Sequence, residues 1–398
     1  MVTKVEVTKA VRLPDKVKLA RYRRAPELGP RLLFLSGGSA LRKLSRVLKY
    51  ATHNSVHLIT PFDSGGSSAH LRHAFHMLAV GDLRNRLMAL ADESALGNIE
   101  MYALFAHRFS PDATQAALLE ELQTLIDGIH PLTVEIPEPL RLLACQYLQI
   151  FYREMPETFD LRGASIGNLI LAGGYLAHNR NIDTVIFLFS QLANVRGRVQ
   201  PIVDVDVHLA ALLEDGTEIV GQHLLTGKEF APPASPVARL RLVDDLEDPK
   251  PITAEILPKV KKLIAKAEVI CFPIGSFYSS VLANILPRGV GRQIRKVVCP
   301  KVYVPNLGVD PEQVGMTLSR SVATLIAYLR KDAGADTPTK ELLHFVFVDT
   351  KRGDYSMPLD IEETEALGVR VLDVSLVKAE QPDEIDPGLL AALLLSLA

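Results

Sequence analysis

Apolar residues along this chain alternate between two spacings. Leu32, Leu33, Phe34 and Leu35 form a short continuous run that ends in Ser36-Gly37-Gly38-Ser39. Leu41, Leu44, Val47 and Leu48 follow at helical spacing with Arg42, Lys43, Arg46 and Lys49 between them, a pattern that predicts strand, glycine turn and helix. The unit then repeats in kind, with a second strand over 56–59, a loop over 61–68 and a helix starting between His70 and Leu78. Further β-rich runs at 269–272, 297–304, 343–348 and 369–374 are separated by helical stretches near 280–286, 311–329 and 362–367. This alternation predicts an α/β fold with a Rossmann-like, doubly wound, mainly parallel sheet, whose ligands sit at the carboxyl ends of its strands.

Two stretches depart from the alternation. Residues 105–200 carry successive amphipathic stripes, among them Leu118, Leu122 and Leu125, and Ile182, Val185, Ile186 and Phe189, which predict an inserted helical layer. Val203, Val205 and Val207 alternate with Asp204, Asp206 and His208, and Asp215-Gly216 precedes Ile219-Val220. That reads as a small β element over 201–230 with a hairpin turn, followed by an irregular, proline-rich and acidic connection over 231–251. The expected organisation is a basic extension over 1–30 laid on the surface, an α/β domain over 31–385 and an apolar tail over 386–398 that forms a packed or frayed last helix.

Composition narrows the function. With 48 % hydrophobic and 23 % charged residues the 398-residue chain has ample material for a core, unlike the polar composition of disordered chains. A net charge of -2 supplies no overall field toward nucleic acid or an anionic membrane, so an anion site must be local. The cysteines, Cys145, Cys271 and Cys299, have neither zinc spacing nor a disulfide framework. No apolar run has the ~18 or more residues of a membrane span, and the expected location is the cytoplasm.

Candidate chemistry gathers at the two predicted strand ends. Ser36-Gly37-Gly38-Ser39 sits at a strand-to-helix junction, where backbone N–H groups and a helix N-terminus can receive a phosphate; the same residues also make an ordinary tight turn. Asp63-Ser64-Gly65-Gly66-Ser67-Ser68 repeats the arrangement, and Asp63 either orients a metal, accepts a proton or caps its own turn. Asp82, Arg84, Asn85 and Arg86 crowd one helix start and offer either a phosphate fork or a surface ion pair. His70, His73 and His76 are spaced poorly for a metal. The set Asp204, Asp206 and His208 reads as the wet face of a hairpin.

In order, these pieces resemble the CofD/YvcK superfamily, from about Leu32 to about Val374. Its members include the 2-phospho-L-lactate transferase of deazaflavin coenzyme biosynthesis and nucleotide-sugar-binding regulators. Ser36 to Ala40 is similar to the first glycine loop, Asp63 to Ser68 to the Asp-Asp-Gly-Gly-Ser-Ser loop, and Gly81-Asp82-Leu83-Arg84-Asn85 to the Gly-Asp-Ile-Arg-Asn element. Ser165 to Leu169, the stretch 195–199, Ile274 to Ser280 with Asn284, and Tyr303 to Asn306 match later motifs. Ser64 departs from the second Asp of that pattern, Ser36 and Ala40 from glycines and Ile274 from a proline; a divergent branch such as the CofD-like protein of the GAK system fits these departures. The resemblance implies a dimeric protein with a nucleotide or nucleotide sugar across the glycine loops, a ring contact from Tyr278, polar reading by Asn168 and Asn306, and phosphate contacts from Gly275 and Ser276. In the transferase branch it also implies Asp63 as catalytic residue and ligand for magnesium; in the other, a non-catalytic regulator.

Overall fold

The computed structural model describes residues 10–37, 40–94, 98–227 and 230–398. Strands β1 (Leu32–Ser36), β2 (Val56–Ile59) and β3 (Arg198–Pro201) come first, and β4 (His208–Leu213), β5 (Glu218–Val220) and β6 (Val237–Val243) follow. Then come β7 (Val269–Phe272), β8 (Lys301–Tyr303), β9 (Phe345–Val348) and β10 (Arg370–Asp373), and last β11 (Val377–Lys378) and β12 (Gln381–Ile385). Seven of them form one sheet in the order β10-β9-β8-β7-β1-β2-β3, with every neighbouring pair parallel. From the centre the chain winds outward one way through β1, β2 and β3 and the other way through β7 to β10. The order therefore reverses between β1 and β7, and a crevice opens beyond their carboxyl ends.

Both faces of the sheet are covered, which is why its strands are continuous apolar runs. Leu32 and Phe34 of β1 face one core with Val269 and Cys271, while Leu33 and Leu35 face the other with Ile270 and Phe272. The first core is closed by the C-terminal helix Pro387–Leu397 and by Leu19 of the helix Lys16–Arg24. Residues 10–30 are thus more than a surface extension. Asp15 caps that first helix, its N–H donates to Ser396 Oγ at 2.8 Å, and the Lys18 ammonium donates to the carbonyl of Ser396 at 3.1 Å.

Between β2 and β3 lies a helical lobe with its own apolar cluster. It begins earlier than the stripes suggested, at Gly66, and ends at Leu192. Residues 198–200, inside the stretch read as helical, and residue 201, read as the start of the small β element, form the edge strand β3 of the main sheet. The small sheet instead has the order β5-β4-β6, and β6 falls inside the stretch read as an irregular connection. Val237, Leu240 and Leu242 of β6 pack with Leu209 and Ala211 of β4 into the main core. The apolar signal of β6 is alternating and lies between two proline clusters, which hid it in the sequence. Among the described residues no helix is long and apolar enough to cross a membrane.

Helices Leu140–Glu154 and Ile166–Ala177 make the closest helix contact in the lobe, because Gly173 lies against the backbone of Tyr147, where any Cβ would collide with a carbonyl. Gly173→Ala is expected to lower unfolding stability by about 1–3 kcal/mol or more, as overpacking does. Gly308→Ala, whose Cβ would meet nothing within 4 Å, serves as the neutral control in the same denaturant titration.

Candidate functional site

Gly37, directly after β1, lies where three other segments meet. A Cβ built on it would fall 2.6 Å from Thr60 Oγ1, 2.9 Å from Ser280 Oγ and 3.2 Å from Asp82 Oδ2. Thr60 follows β2, Ser280 belongs to the short helix Phe277–Leu282 after β7, and Asp82 opens the helix Gly81–Leu90. Next to it Gly81 marks a second meeting point, 3.2 Å from Ser68 Oγ, 3.7 Å from Asp63 Oδ2 and 3.8 Å from Asn168 Nδ2 on the same measure. The topological reversal thus carries a polar crevice built from residues more than 200 positions apart. Gly38 and Ser39 lie outside the described residues.

Several polar atoms in this crevice have no partner among the described residues. Ser36 Oγ, Thr60 Oγ1 and Asn168 Oδ1 are buried and make no hydrogen bond to them, although buried polar groups are almost always satisfied. Asn168 Nδ2 and the Ser165 N–H both donate to Ser67 Oγ, at 3.4 and 3.3 Å, which fixes the second glycine loop against the helix Ile166–Ala177. The helix Gly66–Phe75 starts at this loop and receives no side-chain cap, so its first-turn N–H groups are without a side-chain acceptor. Asp63 shapes the turn before it by accepting the Gly65 N–H at 3.1 Å.

Two guanidiniums lie buried beneath the crevice. Arg84 donates to Ser165 Oγ and to Asn85 Oδ1, and Arg86 donates to Ser45 Oγ. Burial pushes both down to about 10 while the Asp82 charge opposes the shift. They remain cations at neutral pH, beside the carboxylates of Asp82 and Asp63. They face inward, so they set the local field rather than fork onto a ligand as the sequence suggested.

On the far side of the crevice the structure corrects three expectations. Tyr278 is 2 % exposed and its hydroxyl donates to the Val237 carbonyl at 3.1 Å; the ring is part of the core beside Phe277 and offers no face for stacking. Asn306 is occupied in holding the loop, accepting the Gly275 N–H at 2.8 Å and donating to the Gly275 carbonyl at 2.7 Å and to Asp310 at 3.1 Å. The amides after Gly275 and Ser276 are already used: Phe277 N–H donates to Asp310, and Tyr278 and Ser279 N–H both donate to Glu312, at 2.8 to 2.9 Å. An internal carboxylate pair takes the place a phosphate would need there. The helix start without a side-chain cap lies on the β1 and β2 side.

Asp204 and Asp206 are not on a hairpin strand, which begins at His208. Asp206 instead pairs with buried Arg72 at 2.6 Å, and Arg72 also donates to the carbonyls of Asp63 at 3.1 Å and Val207 at 2.7 Å. This ties the second glycine loop to the small sheet. Among the described residues no group of three His, Cys, Asp or Glu side chains can hold a metal, the histidines at 70, 73 and 76 included.

Residues 32–377 match the family described as 2-phospho-L-lactate transferase CofD. The chain belongs to the CofD family. Its relatives include the gluconeogenesis factor of Bacillus subtilis, 28 % identical over 87 % of this chain and 91 % of that protein. The putative gluconeogenesis factor of Thermoanaerobacterium thermosulfurigenes is 26 % identical over 87 % and 89 %. In fold the chain is similar to a crystal structure of a UPF0052 family protein from Bacillus halodurans, with TM-score 0.66 and 24 % identity over 92 % of this chain and 99 % of that one. The glycine loops that suggested the CofD family are thus the loops the sheet order brings together. Thr60, Asp310 and Glu312 carried no such signal, since a lone hydroxyl or carboxylate gains meaning only from its distant neighbours.

Glu312 supplies a test of this site's construction. Burial, with the neighbouring Asp310 charge, pushes its carboxyl up to about 8 despite the donated N–H groups. Between the ordinary glutamate range near pH 4.5 and pH 8 the unfolded chain has lost this proton and the folded one keeps it, so stability falls as pH rises through that window. Denaturant titrations from pH 5 to 8 are expected to show a steeper fall for the wild type than for Glu312→Gln. Equal slopes would place the carboxylate in solvent.

Proposed function

We propose that this CofD family protein binds a nucleotide-diphospho group on the β1 and β2 side of the crevice, with Thr60 and the start of the helix Gly66–Phe75 as receivers of its phosphates, and Asn168 Oδ1 as an acceptor for a donor group of the ligand. The observation that carries this reading is the pair of buried hydroxyls, Ser36 Oγ and Thr60 Oγ1, that have no hydrogen-bond partner among the described residues and lie at Gly37, which has no room for a side chain. Hydroxyl and amide groups over buried cations suit a diphosphate. The relatives named gluconeogenesis factors span most of this chain, which favours a non-catalytic nucleotide-sugar-binding regulator.

The name of the matching family favours a second reading, transfer of a phospholactyl-type group. Asp63 and Asp82, both beside the crevice, would then be the protein's carboxylates for magnesium, with phosphate oxygens of the ligand and water completing the set. That ion would neutralise charge on the diphosphate. The donor set fits only such a shared arrangement, since the protein alone supplies no three-residue cluster among its described residues.

Calorimetry with UDP, GDP, GTP and UDP-sugars tests the binding. At least one of these ligands is expected to bind below millimolar, and Thr60→Val to weaken it by about tenfold, the effect of one well-used hydrogen bond to a charged group. No binding at millimolar concentration would end the nucleotide reading. Asp63→Asn separates the two activities: in a transferase it leaves affinity within about tenfold yet cuts turnover by about a hundredfold or more. In a regulator no donor is consumed and magnesium changes affinity little.

A further inference from the structure

The basic extension and the apolar tail meet around a cavity that the glycine-loop crevice does not use. Its volume is about 440 Å³, within the ~300 to 1,000 Å³ of small-molecule sites. Three helices wall it. Leu19 comes from the helix Lys16–Arg24, Val47 from the helix Arg42–Leu48, and Ala391, Ala392 and Leu395 from the helix Pro387–Leu397. Ala391 and Ala392 are small residues in an otherwise leucine-rich helix, and they keep the space open. Val47 and Tyr50, both in the lining, remain 36 % and 57 % exposed, so the apolar wall runs out to the surface.

The charged part of the lining is Arg23, Arg46 and Glu93. Glu93 is already engaged, because the Lys49 ammonium, on a side chain only 1 % exposed, donates to it at 3.1 Å and to the Ala91 carbonyl at 2.8 Å. Arg46 approaches the same carboxylate only to 3.8 Å, beyond hydrogen-bond distance. Its Nε is buried and has no hydrogen-bond partner among the described residues, an arrangement that costs stability unless something accepts from it. The guanidinium lies over the Tyr102 ring, 5.4 Å from its centroid. That contact holds the group in place through cation–π attraction and uses none of its N–H donors. Other carboxylates of the bounding segments have partners of their own: Asp15 caps its helix, Asp92 pairs with Arg196, and Asp386 pairs with Lys378 at 2.6 Å. Two guanidiniums therefore face one carboxylate that already holds a buried ammonium.

We infer that this cavity binds an apolar acid, a molecule with a hydrocarbon body along Leu19, Ala391, Ala392 and Leu395 and one anionic head, carboxylate or phosphate, received by Arg46. An inorganic anion would leave the apolar wall in water, a neutral hydrocarbon would leave Arg46 Nε unpaired, and an amine would meet two like charges. None of the lining residues belongs to the meeting points at Gly37 and Gly81, so the inference stands apart from the nucleotide reading.

Calorimetry on the full chain tests it with decanoate, decyl phosphate, octanoate, decanol and acetate. Decanoate or decyl phosphate is expected to bind below millimolar. Octanoate binds about tenfold more weakly than decanoate, the loss of two buried methylenes. Decanol also binds about tenfold more weakly, the loss of a hydrogen bond to a charged group, and acetate shows no binding at millimolar concentration. Arg46→Gln weakens the acid about tenfold and leaves decanol unchanged, a split that general destabilisation cannot produce. Ala392→Leu, which fills the cavity from the last helix, removes binding of acid and alcohol alike while the melting temperature stays at or above that of the wild type. The inference is overturned by absence of binding of both acids at millimolar concentration, by equal affinity for decanoate and decanol or for decanoate and octanoate, or by full affinity for the acid in either variant.

Discussion

The close approach of the chain at Gly37 to Thr60, Ser280 and Asp82 is the constraint on which the rest of this molecule depends. A parallel sheet that winds outward in both directions from β1 and β7 leaves the ends of those strands uncovered by crossover helices. At that gap the backbone after β1 has no side chain, and a Cβ would fall within 3 Å of two hydroxyl oxygens. The polar atoms gathered there cannot all satisfy one another. The side-chain oxygens of Ser36 and Thr60 therefore have no hydrogen-bond partner among the described residues, in a region dry enough to make this costly. A ligand with several acceptor oxygens would relieve that cost.

The two flanks of the crevice solve the same electrostatic problem in different ways. On the β7 side, Asp310 and Glu312 satisfy three consecutive N–H groups internally, and Glu312 is buried so deeply that its carboxyl holds its proton toward pH 8. On the β2 side the helix Gly66–Phe75 has no such cap, and the guanidiniums of Arg84 and Arg86 are buried near the Asp82 carboxylate. The two flanks therefore differ in how their N–H groups are satisfied. The small sheet contributes on the same side, through the Arg72–Asp206 pair and the His223–Ser64 contact.

Much of the fold was legible in the sequence because periodicity is local. The runs at 32–35, 56–59 and 269–272 became strands of the central sheet, and the glycine loops stand at its carboxyl edge. What escaped was non-local. Strand β6 was masked by flanking prolines, and the docking of the first helix on the last depends on a face at the other end of the chain, where Asp15 and Lys18 meet Ser396 and Ala398 by hydrogen bond. Tyr278 looked like a stacking platform because motif order says nothing of side-chain direction; its hydroxyl found a carbonyl in β6 instead. Thr60 was invisible for the complementary reason, since it gains meaning only from its closeness to Gly37 on another segment.

The central claim is that the anion site lies on the β1 and β2 side of the crevice. The most direct measurement is a crystal structure of the protein with a bound nucleoside diphosphate or its sugar derivative. The account predicts phosphate oxygens within hydrogen-bond distance of Thr60 Oγ1 and of the first-turn N–H groups of the helix Gly66–Phe75, with Glu312 still holding the Tyr278 and Ser279 amides. Phosphates seated on those amides, with Glu312 displaced, would contradict it.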